Sequence, residues 1–426
     1  MIRWLPFVLV VACGGNKDSD TPVDGTTADS GTPIDTDNPT TDTDVELGYR
    51  GALGIYDGVD ALAGGATDAA IWAEEATAIP DRMFGSPVVR LGDLDGDGLE
   101  DLAVGNGTHT YVMLRSAEMG ADWVAAGVFL GFGQLLAVGD VVGNDGLTDV
   151  IRATTDTVEL LSGADLALSP ARPDPYATIE LADVNIFQID PADYNGDGQL
   201  DVVLAHSQQG FDSTACWFDG RLFTEGAVVA EADGSCATIT GILRAAADID
   251  GDSLPDLLGY SERKVVLMPA AGIVSGLFAG APIIELNGEI EDFSLGEVNG
   301  DGITDLVAVR SPNAEVFLGP FTDTMKTTAD AAQQIDFNAA YIELMDIDGD
   351  GQDEMLMQGH TSATLVTSAD LPLDGSTVEP IRWTTTPDEM ISVHFVPDLT
   401  GDGKPDLAIG QNGDEVPVEQ LPESTE

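Results

Sequence analysis

Nine residues, Asp93-Leu94-Asp95-Gly96-Asp97-Gly98-Leu99-Glu100-Asp101, place side-chain oxygens at positions 1, 3, 5 and 9, a glycine at position 6 and a free carbonyl, that of Leu99, at position 7. A hard cation preferring six to eight oxygens is wrapped in this way, with the glycine allowing the sharp turn around it. The first ligand positions follow an EF-hand loop, but the Glu that an EF-hand needs at position 12 is Val104 here. Residues 101–105 form a short apolar run ended by glycine, which reads as a strand, so the loop is expected to join two strands of a hairpin.

The same chemistry recurs along the chain. Asp193, Asn195, Asp197, the Gln199 carbonyl and Asp201 form a second set, and Asp248, Asp250, Asp252, the Leu254 carbonyl and Asp256 a third. Glu297, Asn299, Asp301, the Ile303 carbonyl and Asp305 follow, then Asp346, Asp348, Asp350, the Gln352 carbonyl and Glu354. Asp398, Thr400, Asp402, the Lys404 carbonyl and Asp406 close the series. The stretch through Asp140, Asp145 and Asp149 carries one inserted residue that spoils the 1, 3, 5 spacing, which predicts weak binding there or none. The cofactor expected is Ca2+, at up to seven sites.

Starts at 93, 141, 193, 248, 297, 346 and 398 lie 48 to 55 residues apart. That length holds four short strands and their turns, the period of a propeller blade. One Asp-rich loop is ordinarily a solvated turn. Seven in register predict an all-β chain folded as a seven-bladed β-propeller. These loops resemble the FG-GAP and VCBS repeat families, whose members look like the propeller of integrin α-subunits, over about residues 47–412. Phe84-Gly85 and Phe132-Gly133 match the family's FG element. After the loops, Val104-Gly105-Asn106 or Val309-Arg310-Ser311 stands in place of the family's Gly-Ala-Pro, so integrin-like ligand specificity is not carried over.

The strands before the loops, such as residues 87–91 and 341–345, are read as the innermost of each blade (strand A), followed outward by B, C and D. Calcium loops and C–D turns then share one face of the ring, and B–C turns and blade-to-blade connections the other. After residues 406–410 only sixteen residues remain, whereas two strand-like runs, 52–56 and 69–73, precede the first loop. The N-terminus is therefore expected to supply strands C and D of the last blade, which removes exposed sheet edges.

Ahead of this ring, residues 4–12 form an apolar run too short to span a bilayer. Val10-Val11-Ala12-Cys13 resembles the lipobox of bacterial lipoproteins, which implies cleavage after residue 12, lipid on Cys13, and export to the outer membrane or surface of a Gram-negative cell. Residues 13–46, dominated by Asp, Thr and Pro, bury too little to order and form a tether. Residues 413–426 form an acidic tail.

With 75 acidic and 16 basic residues the formal net charge is −59, which excludes nucleic acid as a partner. Seven divalent ions would offset only a minority of it, and the rest is surface charge. Cys216 and Cys236, left over once Cys13 is lipidated, fall in the C and D regions of one blade and form an even pair expected to be a disulfide. His109, His206 and His360 are placed just after strand B of three separate blades, which spreads them around the rim and argues against a joint catalytic site. Trp123, Trp217 and Trp383 are read as packing between blades. No GxSxG, HExxH or P-loop motif is present. The function expected is a non-enzymatic, monomeric adhesion or binding module with a protein or glycan partner on the face opposite the calcium loops. A propeller-based polysaccharide lyase or hydrolase and a structural envelope lipoprotein are the alternatives.

Overall fold

In the computed structural model, which describes residues 47–49, 52–56, 72–75 and, with short breaks, 88–417, every described Asp-rich loop closes an antiparallel hairpin. The leader with Cys13, the 13–46 tether, Phe84-Gly85, Phe132-Gly133, Trp123, Trp383, His360, Thr400, Asp402 and most of the 413–426 tail lie outside the described residues.

The strands form seven sheets of four or five strands and one two-stranded ribbon. In the first sheet, Val88–Gly92, Asp101–Gly105, His109–Leu114 and Val124–Leu130 follow one another as strands A to D. The next six repeat this order around the loops at 140, 193, 248, 297, 346 and 398. The A strands of consecutive sheets touch, and Met390–Val396 of the last touches Val88–Gly92 of the first, so the A strands form a closed inner ring. The chain is a β-propeller.

Packing explains the sequence of the B strands. Asp101–Gly105 and Asp149–Ala153 are buried along their whole length. A strand covered on both faces reads as a continuous apolar run rather than an alternation. Each described apolar cluster draws on consecutive sheets, as where Ile151 and Leu160 meet Ile189, Leu204 and Phe218. Trp217 packs with Leu257, Met268 and Phe278 of the neighbouring sheet, the packing role assigned to it from its position.

The last sheet is built from both ends of the chain. Met390–Val396 and Asp406–Gln411 pair as A and B, Ala52–Tyr56 pairs antiparallel with Asp406–Gln411, and Trp72–Glu75 completes the sheet. Leu47–Tyr49 also pairs with Glu415–Pro417, so part of the segment read as tail is a strand.

Three sheets gain a fifth strand from the neighbour that follows. Ala227–Ala230 pairs parallel with Ala177–Glu180, Lys326–Thr327 with Ala281–Glu285, and Thr377–Val378 with Gln333–Ile335. In each case the C–D connection of one sheet lies along the outer edge of the preceding one, covering unpaired N–H and C=O groups.

Removing residues 47–75 is expected to strip Asp406–Gln411 of its outer partner. Hydrogen exchange should then accelerate in residues 406–411 more than in residues 305–310; equal protection in the truncated and full chains would contradict the closure.

Candidate functional site

The loops share one hydrogen-bonding plan, set by their first and ninth residues. In the first loop Asp93 Oδ1 accepts from Gly96 N at 2.7 Å and Oδ2 from Gly98 N at 3.0 Å. Asp95 Oδ1 accepts from Asp97 N, and Asp97 Oδ1 from Leu99 N, at 3.1 and 2.8 Å. These Asx-type contacts hold the loop's shape with the carboxylates turned inward. Position 6 is a left-handed glycine at Gly98, Gly198, Gly302 and Gly351, but in the 248 loop it is Ser253 with φ +73°. Its N–H still reaches Asp248 Oδ2 at 3.1 Å, at the expense of a conformation that side chains disfavour.

Position 9 behaves differently. Asp101, Asp149, Asp201, Asp256, Asp305, Glu354 and Asp406 are all essentially inaccessible. Asp101 Oδ2 accepts from Leu94 N at 2.9 Å and Oδ1 from Arg115 N at 2.8 Å, tying the loop to the end of strand C. Asp256 repeats this with Ile249, Asp250 and Ala270, each at 3.0 Å, and Asp305 with Val298 and Gly319 at 2.9 and 2.8 Å. Asp201 binds Tyr194 N at 3.1 Å and Gly220 N at 2.7 Å. Even in the interrupted loop Asp149 takes N–H donors from Val141, Val142 and Gly163. The residue expected to be one ligand among several is thus also the hydrogen-bonding centre of its repeat.

Burial raises the proton affinity of these groups against the backbone bonds that lower it. Asp101, Asp201 and Asp305 are pushed up to about 6, with neighbouring loop carboxylates adding to the shift. Glu354 is pushed up to about 8. One methylene longer than its counterparts, Glu354 accepts no bond at Oε1 from a backbone N–H of the C–D connection. Oε2 accepts from Ile347 N at 3.1 Å, while Oε1 is buried with no partner among the described residues.

The structure gathers positions 1, 3 and 9 in three loops. Carboxylate oxygens of Asp93, Asp95 and Asp101 lie within 4.8 Å of one another, as do those of Asp248, Asp250 and Asp256, and of Asp346, Asp348 and Glu354. The position-5 groups Asp97, Asp252 and Asp350 stay outside these groups and cap the next turn instead. In the 193 and 297 loops position 3 is neutral, and Asn195 and Asn299 spend amide N–H bonds on Asp201 and Asp301. In the last loop Asp398 accepts Arg115 Nη1 on its carbonyl at 2.6 Å, and Asp406 is buried like the other ninth residues. The donor sets of the 93, 248 and 346 loops suit a divalent cation, and the orphaned Glu354 oxygen marks the 346 loop in particular.

One placement differs from the reading of the sequence. His206 lies inside strand Asp201–Gln208 rather than after it, whereas His109, which begins strand His109–Leu114, follows strand B as expected. The pairing of Val184–Ala192 with Asp201–Gln208 runs on to Val184 and Gln208, past the apolar residues 202–205, which places His206 within the strand. Cys216 and Cys236 face each other across strands C and D and are joined by a disulfide.

Solved structures support the fold. The BBS1N chain in complex with ARL6DN, from a crystal soaked with mercury, has a TM-score of 0.50 at 9% identity, over 82% of this chain and 96% of that one. A lead-soaked crystal of the same complex gives 0.47 at 10% identity over the same shares. An Agrocybe aegerita lectin described by its specific recognition of non-reducing terminal N-acetylglucosamine gives 0.36 at 16% identity, over 84% of this chain and 83% of that one. At 9% identity the likeness to the mercury-soaked BBS1N chain is one of fold alone. No protein-family model matches the chain, and no curated protein matches it.

Two outcomes test the loop plan. Asp256→Ala should cost about 3 kcal/mol in chelator because it strands three backbone donors, whereas Asp252→Ala should be near neutral there; equal costs in urea unfolding would refute the division of roles. Ser253→Gly should stabilise by roughly 0.5–1 kcal/mol by relieving the left-handed serine.

Proposed function

We propose that the chain is a calcium-stabilised, non-enzymatic binding module: a seven-bladed propeller of the FG-GAP and VCBS kind, anchored through lipid on Cys13 at a bacterial surface. The observation that carries the calcium reading is the gathering of positions 1, 3 and 9 in the 93, 248 and 346 loops, with an unpaired buried oxygen on Glu354. Asp93, Asp95 and Asp101, with their equivalents at 248 and 346, would hold the ion. When bound, it neutralises carboxylates whose repulsion otherwise opposes the hairpin.

The seven sheets are read as the seven blades, one for each loop. Antiparallel connection puts the loops on one face and leaves the B–C turns on the other for a protein or glycan partner. The solved complex of BBS1N with ARL6DN is an instance of this fold in a protein assembly, which supports a partner-binding role. Arrays of proteins and glycans probed with the calcium-loaded chain test that role directly. Binding lost on substitution of B–C turn residues would support it, and a specific cleavage activity would overturn it.

Calcium dependence has a sign in pH. Glu354 at about 8 and Asp101, Asp201 and Asp305 at about 6 lie above their unfolded values of 4.5 and 3.8. Without a cation the folded chain therefore binds more protons than the unfolded one between about pH 4 and 8. Stability in chelator should fall as pH rises through that window. Calcium should remove most of this slope and raise the melting temperature, each site adding about 2.7 kcal/mol at 100 times its dissociation constant. Magnesium should do less, since it demands a tighter octahedral cage. A melting temperature indifferent to chelator at pH 8 would reduce the loops to solvated turns.

A further inference from the structure

One cluster away from the loops mixes nitrogen, sulfur and oxygen donors. His206 on strand B, Cys216 on strand C and Glu231 in the C–D connection bring one ligand atom each within 4.8 Å of the others. The strand register explains it. His206 pairs with Thr214, and Cys216 pairs with Leu204, so His206 and Cys216 are diagonal neighbours on one face of the sheet. The next strand sets Cys236 directly opposite Cys216, while Glu231 opens the short 3-10 turn Glu231–Asp233 that leads into it.

The imidazole is 1% exposed and directed at this point. Nε2 lies 3.7 Å from Cys216 Sγ and 3.8 Å from Glu231 Oε1, and Nδ1 has no partner among the described residues. Burial lowers the proton affinity of the ring, opposed by the Glu231 carboxylate, so the ring is kept neutral with a lone pair to offer.

We propose that Cys216, Cys236, His206 and Glu231 form, once the disulfide is reduced, a four-donor site for a borderline-soft divalent cation of the zinc class. Two thiolates, an imidazole nitrogen and a carboxylate oxygen make a donor set that zinc accepts in tetrahedral form. The loops, offering only oxygen, do not compete for such an ion on softness. The disulfide is the closed state of the site. Cys236 is exposed and Cys216 buried, so a dithiol reductant would attack the sulfur of Cys236 and release Cys216 as the leaving thiolate. The second thiol of the reductant then resolves the mixed disulfide. Two electrons pass to the cysteine sulfurs, the reductant becomes a cyclic disulfide, and its two protons are released when the cation takes both thiolates.

Cobalt is the probe. The chain is reduced with a dithiol, freed of it under anaerobic conditions, and titrated with Co2+ beside the oxidised chain. A thiolate-to-cobalt charge-transfer absorption should grow to one equivalent in the reduced chain alone and vanish on adding zinc; cobalt in the carboxylate loops gives no such band. His206→Gln and Glu231→Gln should each weaken zinc binding about tenfold or more in competition with a chromogenic chelator. No charge-transfer band in a folded reduced chain, or zinc affinity in both variants equal to that of the parent, would overturn the proposal. If the reduced chain melts too low for titration, zinc should raise its melting temperature more in the parent than in His206→Gln, and an equal rise would count equally against the site.

Discussion

A buried carboxylate at the ninth position of each repeat is the constraint from which the rest of this propeller follows. Taking such a group out of water costs several kcal/mol unless its oxygens are fully hydrogen-bonded. At Asp101, Asp149, Asp201, Asp256 and Asp305 the chain meets that demand with backbone N–H groups drawn from two places, position 2 of the loop and the start of the C–D connection, as Leu94 and Arg115 do for Asp101. Satisfying one side chain therefore fixes the loop's shape, the register of the A–B hairpin and the point where strand C leaves the sheet. The short helices Gly163–Leu168 and Ala270–Val274 begin at such points, with Gly163 and Ala270 giving their N–H groups to Asp149 and Asp256.

The same device joins one repeat to the next. Thr148 N reaches the Asp93 carbonyl at 2.8 Å, Asp353 N reaches that of Glu297 at 2.6 Å, and Glu297 N returns a bond to Asp353 Oδ2 at 2.7 Å. At these two boundaries the loops are linked turns rather than independent hairpins.

How much of this the sequence disclosed depends on the length of the signal. The run 341–345 was readable as a strand because all of its residues but Glu343 are apolar, and the run 52–56 because it had no partner in its own repeat; both match Tyr341–Met345 and Ala52–Tyr56. Lys326–Thr327 and Thr377–Val378 were not readable, since two residues carry no periodicity and their pairing is fixed by the neighbouring sheet's edge. Spacing also showed which residues could be ligands but not that the ninth would be consumed by backbone donors and the fifth turned aside. Those outcomes depend on where strand C ends, which no local pattern records. The mixed cluster at His206 was hidden for a similar reason. Its members are thirty positions apart or less, yet only cross-strand register shows that His206 and Cys216 share a face.

Acidity in this chain is accordingly part of its construction as well as of its surface. Along the inner ring, Glu343 reaches from one A strand to the next, with Oε1 2.7 Å from His394 Nδ1 and Oε2 accepting from Phe395 N at 3.0 Å. Asp292 Oδ2 accepts from Ile342 N at 3.1 Å across another such boundary. Each joins neighbouring sheets where the twist of the ring leaves backbone donors without a ladder partner, and a carboxylate, having two acceptor oxygens and no donor, is the side chain suited to that task. Buried acids therefore hold the ring at its axis and within its loops, while the more exposed ones in the same loops, such as Asp93 and Asp346, hold the turns by accepting backbone N–H bonds.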